Sequence, residues 1–197
     1  MMLTPEDATR MLQGELVQLL PFPREGNAGG LAFTLWQIMQ EEEVLLRYFH
    51  EEFIGGHGAA RGDLTCFMAH YFLPPNRYNL VVIDAKKPIG DNSGLLGMID
   101  FTMQAEHRQA KIGIWMRRNH SAYAYEAGRL STRYAFALLP IDVIFGLSPH
   151  PYIARFGKKC GWEVLPAVEN YYLINGAQSP CYLVSMTRDA CEKDTND

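Results

Sequence analysis

The residues from Lys111 to Phe136 form the pattern that most directly suggests chemistry in this chain of 197 residues. An extended apolar segment leads into a polar loop, and the loop leads into the alanine-rich start of a helix. The first backbone N–H groups of a helix lack partners, and the positive end of the helix dipole lies beside them. Such a place suits a phosphate or pyrophosphate group. The alternative is a β-α-β unit that serves as scaffold, with nothing bound at the loop.

The amino-acid sequence of this segment is a more specific indication of function than its arrangement as strand, loop and helix. Ile112-Gly113-Ile114-Trp115-Met116 is followed by Tyr123-Ala124-Tyr125-Glu126-Ala127 and then by Tyr134-Ala135-Phe136. This succession resembles motif A of the GNAT acyltransferase superfamily, in particular its ribosomal-protein N-terminal acetyltransferase-like branch. In that branch an IGYWL-like strand precedes a loop and a helix that opens with YATEA.

The resemblance extends to both sides of this segment. Lys159-Cys160-Gly161-Trp162 is similar to the Lys-x-Gly-Phe ending of the family's last motif, and His150 occupies the position of that motif's asparagine. Gly14–Leu19 resembles the family's first strand, and Gly94–Met103 resembles the hairpin strand before motif A. The likeness covers most of residues 14–187. It implies an α/β (α+β) fold with a mixed, mainly antiparallel sheet of six to seven strands flanked by helices, in a single domain over residues 1–188.

The resemblance also implies a reaction, which is the transfer of an acetyl group from acetyl-CoA to the amine of a small molecule or protein. Strands that splay apart after Met116 and Leu147 would hold the pantetheine arm, and helix N-terminal amides would hold the pyrophosphate. A backbone N–H near Trp115 or Met116 would polarise the thioester carbonyl. The expected cofactor-binding residues are Trp115, Met116, Arg117, His120, Ser121, Ala122, Tyr123, Ala124, Tyr125 and His150.

An acceptor amine must lose a proton during this reaction, so a general base is needed within reach. We select His150 and Glu106 as the catalytic candidates, with Asp100 and His107 as further candidates by position. His150 suits the role because an imidazole titrates near neutral pH. The alternative for His150 is a structural role at the start of the short helix that follows it.

Three departures from the family pattern weaken the catalytic interpretation. The loop from Arg117 to Glu126 contains no glycine, and His120 stands where the family has one. Gly157 occupies the position of the tyrosine that often protonates the leaving thiolate, and Lys111 occupies the position of a frequent glutamate. The alternative is therefore a catalytically inactive GNAT-fold protein that binds a ligand or partner. A third hypothesis is transfer of a longer acyl or aminoacyl group into a pocket rich in aromatic residues.

Composition narrows the class of protein. A formal net charge of −4 argues against a general nucleic-acid-binding surface, and 48% hydrophobic residues can supply a core. The four cysteines lack metal-ligand spacing, so free thiols and no metal site are expected. The polar N-terminus does not resemble a signal peptide, and no apolar run approaches membrane-spanning length. We expect a cytoplasmic protein without a membrane partner; a homodimer is compatible with these features.

The remaining chain supplies the elements that would position this site. We predict helices that start near Thr4, cover Leu31–Phe53 with a break at Glu41–Glu43, and cover Leu64–Phe72. Their aromatic residues would form either an acceptor wall or, as we favour, core packing. Predicted strands cover Glu15–Phe22, Tyr78–Ala85, Leu95–Met103, Ala110–Met116, Ile141–Leu147, Glu169–Ile174 and Tyr182–Met186, with a short helix over Pro151–Lys159. Residues 189–197 are expected to be a disordered polar tail.

Overall fold

The computed structural model describes residues 12–23, 28–41, 63–88, 92–117, 121–174 and 177–194. The helix predicted near Thr4 and most of the region between Glu41 and Leu64 lie outside the described residues. The strands are β1 (Val17–Pro21), β2 (Arg77–Asp84), β3 (Leu95–Gln104), β4 (Gln109–Met116), β5 (Val143–Ser148), β6 (Glu163–Ile174) and β7 (Ala177–Thr187). The helices are α1 (Ala28–Met39), α2 (Leu64–Tyr71), α3 (Ser121–Leu138), α4 (Tyr152–Lys159) and α5 (Arg188–Asp194).

The described strands form one seven-stranded sheet in the order β1-β2-β3-β4-β5-β7-β6. Every neighbouring pair is antiparallel except β4 and β5, which are parallel because α3 connects them across one face of the sheet. The predicted fold class, a mixed and mainly antiparallel sheet flanked by helices, is thus confirmed. The two terminal strands are longer than predicted, since β6 begins at Glu163 and β7 at Ala177.

Successive residues of the central strands belong alternately to two separate hydrophobic clusters. Ile112 and Met116 of β4 belong to a cluster that also includes buried residues of α3, α4 and α5. Trp115 is an odd number of positions from both residues and lies on the other face of β4, in a second cluster with Leu35 of α1 and Phe67 of α2. Because successive side chains of a strand point to opposite faces, α3–α5 and α1–α2 cover different sides of the sheet.

Glu126 joins the first strand to α3. Its carboxylate accepts hydrogen bonds from the backbone N–H groups of Glu15, Leu16 and Val17, at 3.0, 2.8 and 2.8 Å. Gly14 is required beside it, because a Cβ atom there would lie 2.5 Å from Cδ of Glu126. The edge strand β1 is therefore fixed to the helix that follows β4.

The expectation of a disordered tail is wrong for the described residues beyond Thr187. Arg188–Asp194 form α5, and Cys191 of this helix is buried in the first cluster. The guanidinium of Arg188 donates to the carbonyl oxygens of Phe136, Leu139 and Ile141, which end α3 and begin the next connection. Carbonyl groups at the end of a helix lack intrahelical donors, so this arginine supplies donors to the helix end and orders the segment.

Among the described residues, no helix combines the length and the apolar character needed to cross a membrane.

Candidate active site

The parallel pair β4–β5 opens part of the way along its length. The two strands pair at Gln109↔Val143, Ala110↔Ile144 and Lys111↔Phe145, and not beyond. From there β4 continues along β3 as far as Met116, while β5 continues along β7 as far as Ser148. We expected the strands to splay after Met116 and Leu147; the divergence begins earlier, directly after Lys111 and Phe145. The result is a wedge-shaped opening in the middle of the sheet.

A cavity of about 280 Å³ occupies this opening. Ile112, Ile114 and Leu147 form part of its wall from the diverging strands. Ala124 and Tyr125 bring the first turns of α3 to the same cavity. The first turns of this 18-residue helix, where the positive end of the helix dipole lies, are therefore near the cavity, next to strand edges that do not pair with each other across the opening.

His150 lies at the end of the opening, two residues beyond β5. Its backbone N–H donates to Oγ of Ser148 at 3.1 Å, and its imidazole stacks on the ring of Tyr152 with centroids 5.6 Å apart. Both rings line the cavity, and His150 is half-buried. Ser148 is buried and fixes the turn, so the imidazole is held at the cavity rather than on the outer surface.

The other part of the cavity is charged. Arg77, Thr102 and Lys111 lie in one row across β2, β3 and β4, because Arg77 pairs with Thr102 and Thr102 with Lys111. Asp100 lies in the adjacent row, directly opposite Gly113. All of these residues, with Tyr71 of α2, line the cavity.

Asp100 is the most constrained ionisable group of this charged part. It is 7% exposed, and its carboxylate lies 3.4 Å from Nε of Arg77. Burial raises the pKa of Asp100 above its ordinary value, while the charges of Arg77 and Lys111 and a hydrogen bond from Thr102 act against that rise. A carboxyl group of raised pKa in a cavity is a candidate for proton transfer, and equally for a structural ion pair.

Gly113 makes room for the Asp100 carboxylate. A Cβ atom at position 113 would lie 2.2 Å from Oδ2 of Asp100, so any larger residue would displace the acid. The glycine of the IGIWM segment is thus explained by the acid on the neighbouring strand.

The cofactor-binding residues predicted from the sequence divide between the cavity and other places. Trp115, Ala124, Tyr125 and His150 line the cavity. Met116 is fully buried in the first cluster, and Tyr123 packs against that cluster. Ala122 is exposed in the first turn of α3, and the backbone of Ser121 begins that helix. His120 lies outside the described residues.

Arg117 does not face the cavity. Its guanidinium forms a salt bridge with Glu41 at 2.7 Å and donates to the carbonyl oxygen of Leu95 at 3.1 Å. These contacts tie the end of β4 to the end of α1. The side chain therefore serves the connection between strand and helix, on the side of the second cluster.

The structure does not bring Glu106 to the cavity. Glu106 and His107 lie in a short 3-10 segment at the exposed tip of the β3–β4 hairpin, which starts before Lys111 and points away from the opening. Asp100 lies on the same hairpin but within β3, and it does reach the cavity. Of the candidate bases, His150 and Asp100 are thus brought to one cavity.

Gly157 is packed rather than catalytic. A Cβ atom there would lie 2.6 Å from Cγ1 of Val184, because this side of α4 rests on β7. The phenol groups that line the cavity belong instead to Tyr71, Tyr125 and Tyr152. No motif distinguishes among these tyrosines, since none of them stands at the family's tyrosine position.

Arg77 was missed by sequence reasoning, whereas Tyr71 is one of the aromatic residues for which either an acceptor wall or core packing was predicted. Arg77 opens an apolar strand, and Asp100 is the one acid in the otherwise uncharged segment Leu95–Gln104. An acid and a base inside neighbouring buried strands are a signal of pairing, since buried charges are seldom left alone. The fold was needed to show that β2 and β3 are adjacent.

No protein-family model matches the sequence, and no curated protein matches it significantly. Solved structures do match the fold. The chain is similar to the spermidine N-acetyltransferase from Vibrio cholerae in complex with CoA and spermine, with a TM-score of 0.68 at 15% sequence identity over 91% of this chain and 99% of that one.

A second solved structure is similar to the same extent. This is a probable acetyltransferase of the GNAT family from Chromobacterium violaceum, with a TM-score of 0.64 at 15% identity over 92% of this chain and 87% of that one. At such low identity the likeness concerns the fold alone. The chain has the fold of GNAT acetyltransferases.

Proposed function

We propose that this protein is an acyl-CoA-dependent N-acyltransferase that moves an acetyl group from acetyl-CoA to an amine. The observation that carries the proposal is the opening between β4 and β5, whose cavity reaches the first turns of α3. An extended pantetheine arm could pair with the free strand edges, and the helix N-terminus suits the pyrophosphate. The solved structures of this fold include one with bound CoA.

Within this fold class, we further propose that the chain is nearest to the ribosomal-protein N-terminal acetyltransferase-like branch. The support is the sequence from Ile112 to Met116, the segment Tyr123–Ala127 and the ending Lys159–Trp162. The loop without glycine then departs from the branch. Its backbone amides would still be available to a phosphate, and His120 would add an imidazole that can donate a hydrogen bond to it.

The reaction requires the lone pair of a neutral amine to attack the thioester carbonyl carbon. The carbon–sulfur bond then breaks, and the sulfur leaves as a thiolate that takes up a proton. Backbone N–H groups of β4 near Trp115 would stabilise the negative charge that develops on the carbonyl oxygen. His150 would accept the proton that the amine loses, directly or through water.

Tyr152 is the group that we propose as proton donor to the thiolate. It lines the cavity next to His150, whereas Gly157, the residue at the family's tyrosine position, has no side chain and packs on Val184. The acid would then be supplied by a residue five positions earlier in the chain than the resemblance implies. Transfer of a longer acyl group remains a prediction for the same cavity.

Acetyl transfer is tested with purified protein, acetyl-CoA and a panel of small amines, peptides with free N-termini and lysine-containing peptides, with CoA release and product mass as readouts. Ala124→Leu would fill the cavity at the start of α3, where Ala124 is 8% exposed. We expect this variant to lose acetyl-CoA binding and transfer. Ala137→Leu, at an exposed position of the same helix, is the matched control and should keep both.

The roles of the two rings are separated by His150→Gln and Tyr152→Phe. Loss of a positioned acid or base should lower kcat by roughly 10²- to 10⁴-fold. Acetyl-CoA binding with no transfer to any amine would favour the alternative, a GNAT-fold protein that binds a ligand or partner without catalysis. No binding of acetyl-CoA would refute the proposal.

A further inference from the structure

The charged part of the cavity has an excess of positive charge. Among the described residues that line the cavity, Arg77, Lys111 and Arg155 are cationic, and Asp100 is the only acid. Arg155 is exposed on α4, whereas Arg77 and Lys111 lie within the sheet beside Asp100. The region beside β2 and β3 therefore carries two cations for one carboxylate.

Arg77 is held rigidly and already neutralises Asp100. Its Nη1 donates to the carbonyl oxygen of His70 at 2.6 Å, its Nε donates to Oγ1 of Thr102 at 3.2 Å, and its guanidinium lies 5.1 Å from the ring centroid of Tyr71. The side chain is 14% exposed. These two hydrogen bonds use Nε and Nη1, and a guanidinium has five N–H donors, so Arg77 can still donate to an anion.

Lys111 is the second cation, and it has no counter-ion of its own. It is half-buried in the cavity wall, and no hydrogen bond or salt bridge joins its ammonium group to any described residue. The nearest acid in the cavity, Asp100, is engaged by Arg77. Lys111 shares the charge of Asp100 with Arg77, so a bound anion would add a favourable interaction for this half-buried cation.

We propose that the acceptor amine carries an anionic group, a carboxylate or a phosphate, which binds Lys111 and Arg77 at the charged part of the cavity. This inference rests on the proposed function and specifies its substrate class. The anion would lie over the row Arg77–Thr102–Lys111, and the amine would point along β4 toward the opening and His150. A polyamine such as the spermine bound to the Vibrio cholerae enzyme would instead meet two like charges.

The experiment compares matched pairs of acceptors that differ by the anionic group. Phenylalanine is compared with phenethylamine, β-alanine with ethylamine, and O-phosphoethanolamine with ethanolamine, with spermidine and spermine as polycations. Acetyl-CoA binding is measured by calorimetry on the same preparation, and CoA release gives kcat/KM for each acceptor. We expect the anionic member of at least one pair to exceed its partner and both polyamines by roughly tenfold or more, the worth of a hydrogen-bonded charge pair.

Substitutions at Lys111 test whether this residue causes the preference for an anionic acceptor. Lys111→Gln should reduce the ratio of kcat/KM for the anionic acceptor to that for its uncharged partner by roughly tenfold, mainly through KM, and Lys111→Arg should restore it. Lys86→Gln, an exposed lysine that does not line the cavity, is the matched control and should leave the ratio unchanged. Comparison of the carboxylate acceptors with the phosphate acceptor shows which anion the site prefers.

The outcomes separate this inference from the proposed function. If polyamines or uncharged amines are the better acceptors, or if Lys111→Gln leaves the ratio intact, the anionic acceptor is refuted while acetyl transfer stands. If acetyl-CoA binds and no anionic amine is acetylated, the anionic acceptor is likewise refuted. If acetyl-CoA does not bind, the proposed function itself fails, and this inference fails with it.

Discussion

At the scale of single residues, the absence of a side chain at Gly113 is what allows the carboxylate of Asp100 to lie in the cavity wall. The acid occupies the space that any side chain at position 113 would need. It is also the counter-ion that lets Arg77 lie within the sheet. One glycine of the family-like segment is thus tied to one buried acid that sequence reasoning treated only as one candidate base among several.

Gly113→Ala tests this fit. The new Cβ atom would overlap Oδ2 of Asp100, so the carboxylate or the strand must move, and we expect a loss of about 1–3 kcal/mol in the free energy of unfolding. Gly29→Ala is the control, because nothing lies within 4 Å of a Cβ atom at that position of α1. It should be neutral or slightly stabilising. Equal effects of the two substitutions in urea denaturation would contradict the assigned clash.

Asp100 and Asp142 should give pH dependences of opposite sign. Burial raises the pKa of Asp100, so the folded state holds its proton more tightly than the unfolded state. The stability of the wild type relative to Asp100→Asn should therefore fall as pH rises from the ordinary carboxyl pKa through the raised one. The hydrogen bond from Arg108 lowers the pKa of Asp142. Its contribution, measured against Asp142→Asn, should be present above the ordinary carboxyl pKa and lost as pH falls through the lowered one.

Urea denaturation of the wild type and both variants across this pH range provides the check. An asparagine side chain does not titrate in this range, so the difference in pH dependence between the wild type and each variant reports the titration of that aspartate. Parallel pH profiles for wild type and Asp100→Asn would contradict the raised pKa. A profile of the same sign for both aspartates would contradict the contrast between a buried and an exposed ion pair.

At the scale of elements, the junction between β1 and α3 depends on Glu126. Three backbone N–H groups at the start of β1 donate to this carboxylate, and among the described strands β1 lies at the edge of the sheet with β2 as its one neighbour. An edge strand gains little from pairing alone. The glutamate of the YATEA-like segment thus has a structural role here, which resemblance alone did not reveal.

Glu126→Ala should lower the free energy of unfolding by about 2–4 kcal/mol, because three backbone donors lose a charged acceptor. Glu126→Gln keeps one carbonyl oxygen and should cost less. Glu169→Ala, at an exposed position of β6, is the control and should change stability little. Hydrogen exchange should show faster exchange at Leu16 and Val17 in Glu126→Ala. Unchanged protection of these amides would contradict the role of Glu126 as the anchor of β1.

Element positions could largely be predicted from the sequence, and the exceptions have physical reasons. The strands predicted over Leu95–Met103 and Ala110–Met116, which are separated by polar residues, are present in the structure and pair as a hairpin, with one face of each strand in each cluster. The polar composition of residues 188–197 predicted disorder. The structure instead contains a helix there, because the guanidinium of Arg188 donates hydrogen bonds to carbonyl oxygens at and after the end of α3. This contact joins segments that are distant in sequence, so no local sequence pattern predicts it.

At the scale of the whole molecule, one sheet positions every part of the proposed site. Its single parallel pair creates the opening, the helix that crosses between these strands brings amides to it, and the hairpin beside it supplies the charged row. The segment that resembles motif A could be recognised from its amino-acid sequence because its residues are consecutive. The row Arg77–Thr102–Lys111 could not, because its members are distant in sequence and meet only through strand register.

We therefore predict that the protein binds acetyl-CoA through both of its parts, with the acetyl-pantetheine arm in the cavity and the nucleotide at the N-terminus of α3. Calorimetric titration of the purified full chain compares acetyl-CoA with 3′-phosphoadenosine 5′-diphosphate, which keeps the pyrophosphate and lacks the arm. We expect micromolar binding of acetyl-CoA and clearly weaker binding of the diphosphate, since the arm would pair with the diverging edges of β4 and β5. No binding of acetyl-CoA at millimolar concentration would contradict the acyltransferase, and equal affinity for both ligands would contradict the place assigned to the arm.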